Sequence, residues 1–179
     1  DEMKKQVHPD GAHIEYSTGY IFVCIHNFAD VLDKMDRVLG VEHGFSDEYR
    51  DRIVAMWEHV MYMMRPDGFQ PMLNDGEMID VRDRLIAAGE RYDRPDFTYA
   101  ATNGERGEAP ADGSHRFPWV RRAVMRCGTV EHPSDVWAPD AVYGFFEAGP
   151  LGAGHVHEDA LTFEVMAYGQ PLIGTMGRL

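Results

Sequence analysis

Basic residues are scarce in this chain. Seventeen lysines and arginines face 30 aspartates and glutamates, for a net charge of -13 over 179 residues. A nucleic-acid partner needs a basic footprint against its phosphates, so the deficit argues against that class. It leaves room for an acidic small ligand or glycan, because a local basic pocket can oppose the global field. Arg116, Arg121, Arg122 and Arg126 could supply such a pocket, or could be solvated arginines on strand edges. Long apolar runs are missing as well. None approaches the ~18 residues that cross a bilayer, which excludes membrane insertion by a helix. No basic, apolar, small-residue leader opens the chain. It begins on charged residues without a Met, as a removed leader or a shortened chain would produce. Cysteine is limited to Cys24 and Cys127, which lack metal-ligand spacing and assign no redox compartment. Cys24 lies on an apolar helical face and reads as a buried thiol.

What is present divides into a helical half and a strand-rich half. Ile21, Phe22, Ile25, Phe28, Val31, Leu32, Met35 and Leu39 follow the three-and-four spacing of one helical face, with Gly40 as a stop. Ser46 is placed as an N-cap before Asp47 and Glu48. The helix it opens presents Ile53, Met56, Trp57, Val60, Met61 and Met64 and ends at Arg65-Pro66-Asp67-Gly68. A third helix is expected over Ile79 to Tyr92. Residues 93–118, punctuated by Pro95, Gly104, Gly107, Pro110, Gly113 and Pro118, read as a loop-rich linker between a helical portion (1–92) and a β portion (119–179). Strands are expected over Val120 to Cys127, Ala141 to Ala148, Ala160 to Tyr168 and Pro171 to Thr175. In the third of these, Leu161, Phe163, Val165 and Ala167 alternate with Thr162, Glu164, Met166 and Tyr168, the pattern of a sheet with one buried face. The fold class is therefore α+β, as two packed units. Three helices and four strands bury little apolar surface each, so the expectation is a piece of a longer chain.

The most informative stretch is Gly149-Pro-Leu-Gly-Ala-Gly-His155-Val-His157-Glu158-Asp159. Imidazole suits proton transfer near neutral pH and metal ligation. On a strand, positions i and i+2 share a face, so both rings are expected in one site. A second cluster, Asp10-Gly-Ala-His13-Ile-Glu15-Tyr16-Ser17-Thr-Gly-Tyr20, leads into a helix. A carboxylate could sit at that N-terminus with His13 or a tyrosine in proton transfer. Equally, Glu15 and Ser17 could start the helix while Tyr20 packs inward. A third segment, Arg65-Pro-Asp-Gly-Phe-Gln-Pro-Met-Leu-Asn74-Asp75-Gly76, is a long polar loop. Its Asn74 could bond a carboxylate or sugar hydroxyl, or form an Asx turn.

In their order and spacing these segments resemble the heparinase II/III-like family of polysaccharide lyases. The matching pieces are Asp10-Gly11 to Tyr20, Arg65 to Asp75, Val124-Met125-Arg126, and Gly149 to Asp159. The resemblance implies the last helices of an α/α toroid followed by the first strands of an antiparallel β-sandwich, with the site in the cleft between them. It implies β-elimination at a uronic acid. A polar group offsets the carboxylate charge, a Tyr or His removes the C5 proton, and an acid protonates the departing O4. Offsetting that charge is what makes the α-proton acidic enough to remove. The candidates carried over are His13, Tyr20 and His155 for catalysis, Glu15, Asn74 and Arg126 for substrate, and His157 for a metal. The partner implied is an acidic polysaccharide, and the location periplasmic or secreted. No cofactor is required; a structural zinc at His157 is the one metal the resemblance brings in.

Two positions depart from the family pattern. Thr175-Met176-Gly177 stands where members carry the Asp-Pro-Gly of an acidic zinc ligand, and threonine is a poor ligand for zinc. By spacing from His13 the catalytic tyrosine falls near Gly68-Phe69, neither of which exchanges a proton; Tyr20 or Tyr62 is the available substitute. These departures keep open a glycan-binding relative without chemistry. A cupin-like metal module is a further alternative, since Gly149 and His155-x-His157 imitate the opening of that motif. Its required Glu is replaced by Ala160 and Leu161.

Overall fold

The computed structural model describes residues 2–40, 44–155, 157–158 and 160–175. Asp159 of the histidine loop and Met176-Gly177 lie outside them. The elements run α1 (Glu2–Gln6), α2 (Ile21–Leu39), α3 (Asp47–Met63), α4 (Arg82–Tyr92), α5 (Pro95–Ala101), then β1 (His115–Phe117), β2 (Arg122–Cys127), β3 (Val142–Glu147), β4 (Phe163–Ala167) and β5 (Gln170–Ile173). The strands form one antiparallel sheet in sequential order. The architecture is helices followed by an antiparallel sheet, an α+β arrangement. No helix among the described residues is long and apolar enough to cross a membrane.

α2 and α3 lie where the apolar spacing puts them. Ser46 occupies the N-cap position of α3 with extended backbone, but its side chain makes no capping bond. α4 begins at Arg82 rather than Ile79, because Asp80 Oδ1 accepts the Arg82 amide and opens the helix there. Residues 93–118 are more than a linker. Asp93 in a left-handed turn ends α4, and Pro95, whose fixed φ suits a first turn, starts α5. Phe97, Ala100 and Ala101 of α5 are buried, and β1 then joins the sheet edge.

A single apolar core runs from Met3 and Val7 through Ile53, Met56, Val60, Leu85 and Phe97 to Phe117, Val124, Tyr143, Phe145 and Met166. Helices and sheet thus share one interior. The inward face of the sheet is unusually polar: Arg122, Val124 and Arg126 of β2 oppose Glu147, Phe145 and Tyr143 of β3, with Glu164 and Met166 of β4 beside them. Here the alternation in β4 misleads. Phe163 is 48% exposed while Glu164 is 1% exposed, so the polar-looking phase faces inward. Glu164 can be buried because its Oε1 accepts both the amide (3.2 Å) and the hydroxyl of Thr175, and its Oε2 lies 3.7 Å from Arg65 Nη1.

The polar face also serves the end of α3. The last carbonyls of a helix have no partner within it. Arg126 donates to the carbonyls of Met64 and, at 3.4 Å, Tyr62, and the Tyr143 hydroxyl donates to Met63 O at 2.9 Å. The Arg126 guanidinium lies over Trp137 (4.2 Å) and Tyr143 (5.0 Å), and burial pushes its pKa down to about 10. Tyr143→Phe strands a buried carbonyl and should cost about 1–3 kcal/mol, read as a lower Tm in thermal unfolding of the full-length protein.

His59 of α3 is buried against Phe117, ring centroids 4.2 Å apart, and its Nδ1 has no hydrogen-bond partner. Burial, then the nearby Arg122 charge, hold its pKa well below the ordinary imidazole value. The folded state keeps it neutral, whereas the unfolded chain takes up a proton below about pH 6.5. Its contribution is complete above that pH and is lost as the pH falls toward the depressed folded value. Tm should drop between about pH 7 and pH 5, and His59→Phe should flatten that limb by about one proton.

Candidate functional site

Gly11 (φ 79°) presses the first turn onto α3 so closely that a Cβ would lie 1.9 Å from Ala55 O. The chain then passes through His13, which bridges to Val7, and reaches Tyr16 and Tyr20 ahead of α2. His13 is only 5% exposed. Its Nδ1 accepts the Glu15 amide at 3.3 Å, so the ring hydrogen belongs on Nε2, which faces Cys24 Sγ at 3.2 Å. Burial holds His13 below the ordinary imidazole value; burial, then the Glu15 carboxylate, pushes the Cys24 thiol up to about 11. Imidazole and thiol are therefore a neutral pair turned inward. His13 pins this segment to α2 rather than facing a ligand.

The next residues turn outward. Glu15 Oε2 meets His155 Nδ1 at 3.1 Å, and the Tyr20 ring stacks on His155 with centroids 3.7 Å apart and planes 17° from parallel. The histidine loop lies along this segment: Ala153 N donates to Ile14 O at 2.9 Å, and Asp75 N to His155 O at 3.3 Å. Gly152 fits here because a Cβ would come within 2.6 Å of Ile14 O.

His155 and His157 do not share a face. Residues 149–158 carry no strand among those described; Gly154 (φ 74°) and His155 (φ 44°) take left-handed conformations that break any two-residue alternation. His155 goes to Glu15 and Tyr20, while His157 Nε2 goes to Asp75 Oδ1 at 2.8 Å. Asn74, with φ 53°, links the two arms: its Oδ1 accepts the His157 amide (2.9 Å) and its Nδ2 donates to Tyr16 O (3.1 Å). Arg122 Nη2 donates to the same carbonyl at 2.6 Å, and its Nε pairs with Glu147, whose other oxygen accepts Gly149 N at 2.7 Å. A small cavity of about 40 Å³ lies between Tyr16, Asn74, Arg122, Gly149 and His157.

The fold thus brings together Glu15, Tyr20 and His155, with Asn74 and His157 bonded to the same loop. It withdraws His13 and Arg126. Arg126 is spent on the α3 carbonyls, and Arg122, four residues earlier on the same face of β2, is the arginine that reaches the site. Tyr62 is buried, stacked on His115 with centroids 4.2 Å apart. Among the described residues, those around His157 do not make up a zinc ligand set. Thr175 is committed to Glu164, His157 to Asp75, and no group of three or more potential ligands converges among the described residues. Arg122 stood in the sequence only as one of four candidate basic-pocket arginines, and Glu147 was missed; the β2–β3 register pairs the two. Asp75 was also passed over as a histidine partner, although Asn-Asp-Gly marked the turn.

Residues 1–93 match the family described as Heparinase II/III N-terminus. This chain belongs to the heparinase II/III family. It is 28% identical over 173 residues to heparin-sulfate lyase of Pedobacter heparinus, covering 94% of this chain and 25% of that protein. Among solved structures it is similar to heparan sulfate lyase HepC from Pedobacter heparinus, with a TM-score of 0.84, 26% identity, and coverage of 98% of this chain and 27% of that one. A solved heparinase III is similar at TM-score 0.84 and 26% identity, again over 98% of this chain and 27% of that one. The chain spans about a quarter of the length of these relatives.

Asn74→Ala removes both an acceptor and a donor between the two arms and places alanine at a positive φ. Amide hydrogen exchange around His155 and His157 should quicken by about tenfold or more, with the core amides of β2 and β3 unchanged.

Proposed function

We propose that the protein to which this chain belongs is a polysaccharide lyase that cleaves uronic-acid-containing glycans by β-elimination. In this reading the helices are the last of an α/α toroid, the sheet opens an antiparallel β-sandwich, and the reaction occurs in the cleft between them. The observation that carries it is the Tyr20–His155 stack steadied by Glu15. Elimination needs a group that takes the C5 proton and a polar group that offsets the charge growing on the adjacent carboxylate. Tyr20 supplies the first, and His155 the second. The Tyr20 oxygen, deprotonated for this step, takes the C5 proton, electrons shift into a C4–C5 double bond, the C4–O4 bond breaks, and the Tyr20 hydroxyl so formed gives that proton to the departing O4. Glu15 accepts from His155 Nδ1 and so orients the ring, leaving Nε2 without a partner among the described residues to face the substrate carboxylate. Asn74 holds the loop at its fitted distance. Likeness to the heparinase II/III family supports a periplasmic or secreted location.

Full-length protein incubated with heparan sulfate, chondroitin and alginate should produce the ultraviolet absorbance of the new double bond on at least one of them. Tyr20→Phe and His155→Ala should each reduce that rate by about a hundredfold or more. Binding without any absorbance on every polyuronate would instead identify a glycan-binding relative that lacks the chemistry.

A further inference from the structure

Between β1 and β2 the chain turns through Pro118, Trp119, Val120 and Arg121. Val120 is buried, but Trp119 is 57% exposed, and Arg121 is exposed with a left-handed φ of 56°. Trp119 is nevertheless held firmly. Its amide donates to Asp10 Oδ2 at 3.0 Å, and its ring lies 14° from parallel to His8, centroids 6.0 Å apart. His8 in turn meets the Tyr16 hydroxyl at 3.1 Å. The turn also abuts the base of the histidine loop: Ala148 N donates to Arg121 O at 3.0 Å, and a Cβ on Gly149 would lie 2.3 Å from Val120 O. On the other side of Tyr16, a Cβ on Gly152 would lie 2.9 Å from its ring. Contacts therefore run from Trp119 through His8 and Tyr16 to the loop that carries His155.

We infer that Trp119 and Arg121 form an outer subsite for an anionic sugar ring of the polysaccharide, to one side of the Tyr20–His155 pair. The inference rests on the lyase reading above. The C–H face of a pyranose is apolar and slightly positive, which matches the electron-rich face of an exposed indole. The ring edge carries carboxylate or sulfate, which a planar guanidinium binds through paired hydrogen bonds. Arg121 makes no ion pair among the described residues, in contrast to Arg65, Arg94 and Arg122. On a chain of net charge -13, an uncommitted cation beside the loop is what lets an anionic polymer settle. A second sugar held there fixes the register of the chain at the reacting pair.

The test uses full-length protein carrying Tyr20→Phe, so that the ligand is not consumed. It is titrated calorimetrically with hexasaccharides of heparan sulfate, chondroitin and polymannuronate. Adding Trp119→Ala should weaken the tightest of these by about tenfold, and Trp119→Phe, which keeps a ring on His8, should hold affinity within about threefold. Arg121→Gln should weaken binding by a similar factor and make it less sensitive to salt. Affinities within twofold of the parent in both Trp119→Ala and Arg121→Gln overturn the subsite and leave the lyase reading standing. Failure of the unmutated protein to bind or cleave any of the three overturns the lyase reading, and the subsite with it.

Discussion

A helix that ends in a protein interior must find donors for its last carbonyls, and in this fold the donors come from the sheet. Met63 O and Met64 O at the end of α3 are met by Tyr143 and Arg126, on neighbouring inward positions of β3 and β2. Water cannot reach these carbonyls, so the sheet is tied to the helices by an obligation of the backbone as well as by apolar contact. Apolar packing alone would tolerate some sliding between the two units; directional bonds to successive carbonyls do not. Arg65, immediately beyond the helix end, extends the same seam through Asp67 and Glu164.

The site inherits its geometry from a second junction of this kind. Tyr16 O receives Arg122 from the sheet and Asn74 from the interhelical loop, so three separated segments converge on one carbonyl. Around it, Tyr16, Asn74 and His155 all sit at positive φ. Such conformations cost side-chain-bearing residues on the order of 1 kcal/mol or more each, and persist only where surrounding bonds over-determine them. Here those bonds are visible. Asn74 grips both Tyr16 and His157, and the carbonyl of His155 accepts from Asp75. The strain aims one histidine at Tyr20 and the other at Asp75, roles that a regular strand would have merged.

That division explains how far the sequence could be read. Helices α2 and α3 followed from apolar periodicity, and the family followed from ordered short motifs, because both are local signals. Glu15, Tyr20 and His155 were found as parts of such motifs. Residue type marks chemical capacity and says nothing of burial: the fold turns His13 against Cys24 and Arg126 onto the end of α3. The phase of β4 failed for the same reason. A glutamate facing inward is unreadable without knowing that Arg65 and Thr175 will be there. The helix α5 hid within a stretch rich in Pro and Gly, since Pro95 starts a helix as readily as it stops one.

Charge completes the physical picture. The net negative field of the chain repels an acidic polymer at long range, yet across a Debye length of about 10 Å or less local cations decide the outcome. Most of the arginines near the helix–sheet seam are not available for that purpose. Arg65, Arg94 and Arg122 are neutralised by carboxylates, and Arg126 is walled in by Trp137 and Tyr143. What remains beside the histidine loop is the turn before β2, where Arg121 is forced outward by its left-handed backbone while Arg122, the next residue, is drawn in to bind Glu147. Adjacent arginines therefore take opposite tasks, one holding the carbonyl framework together and the other left facing solvent.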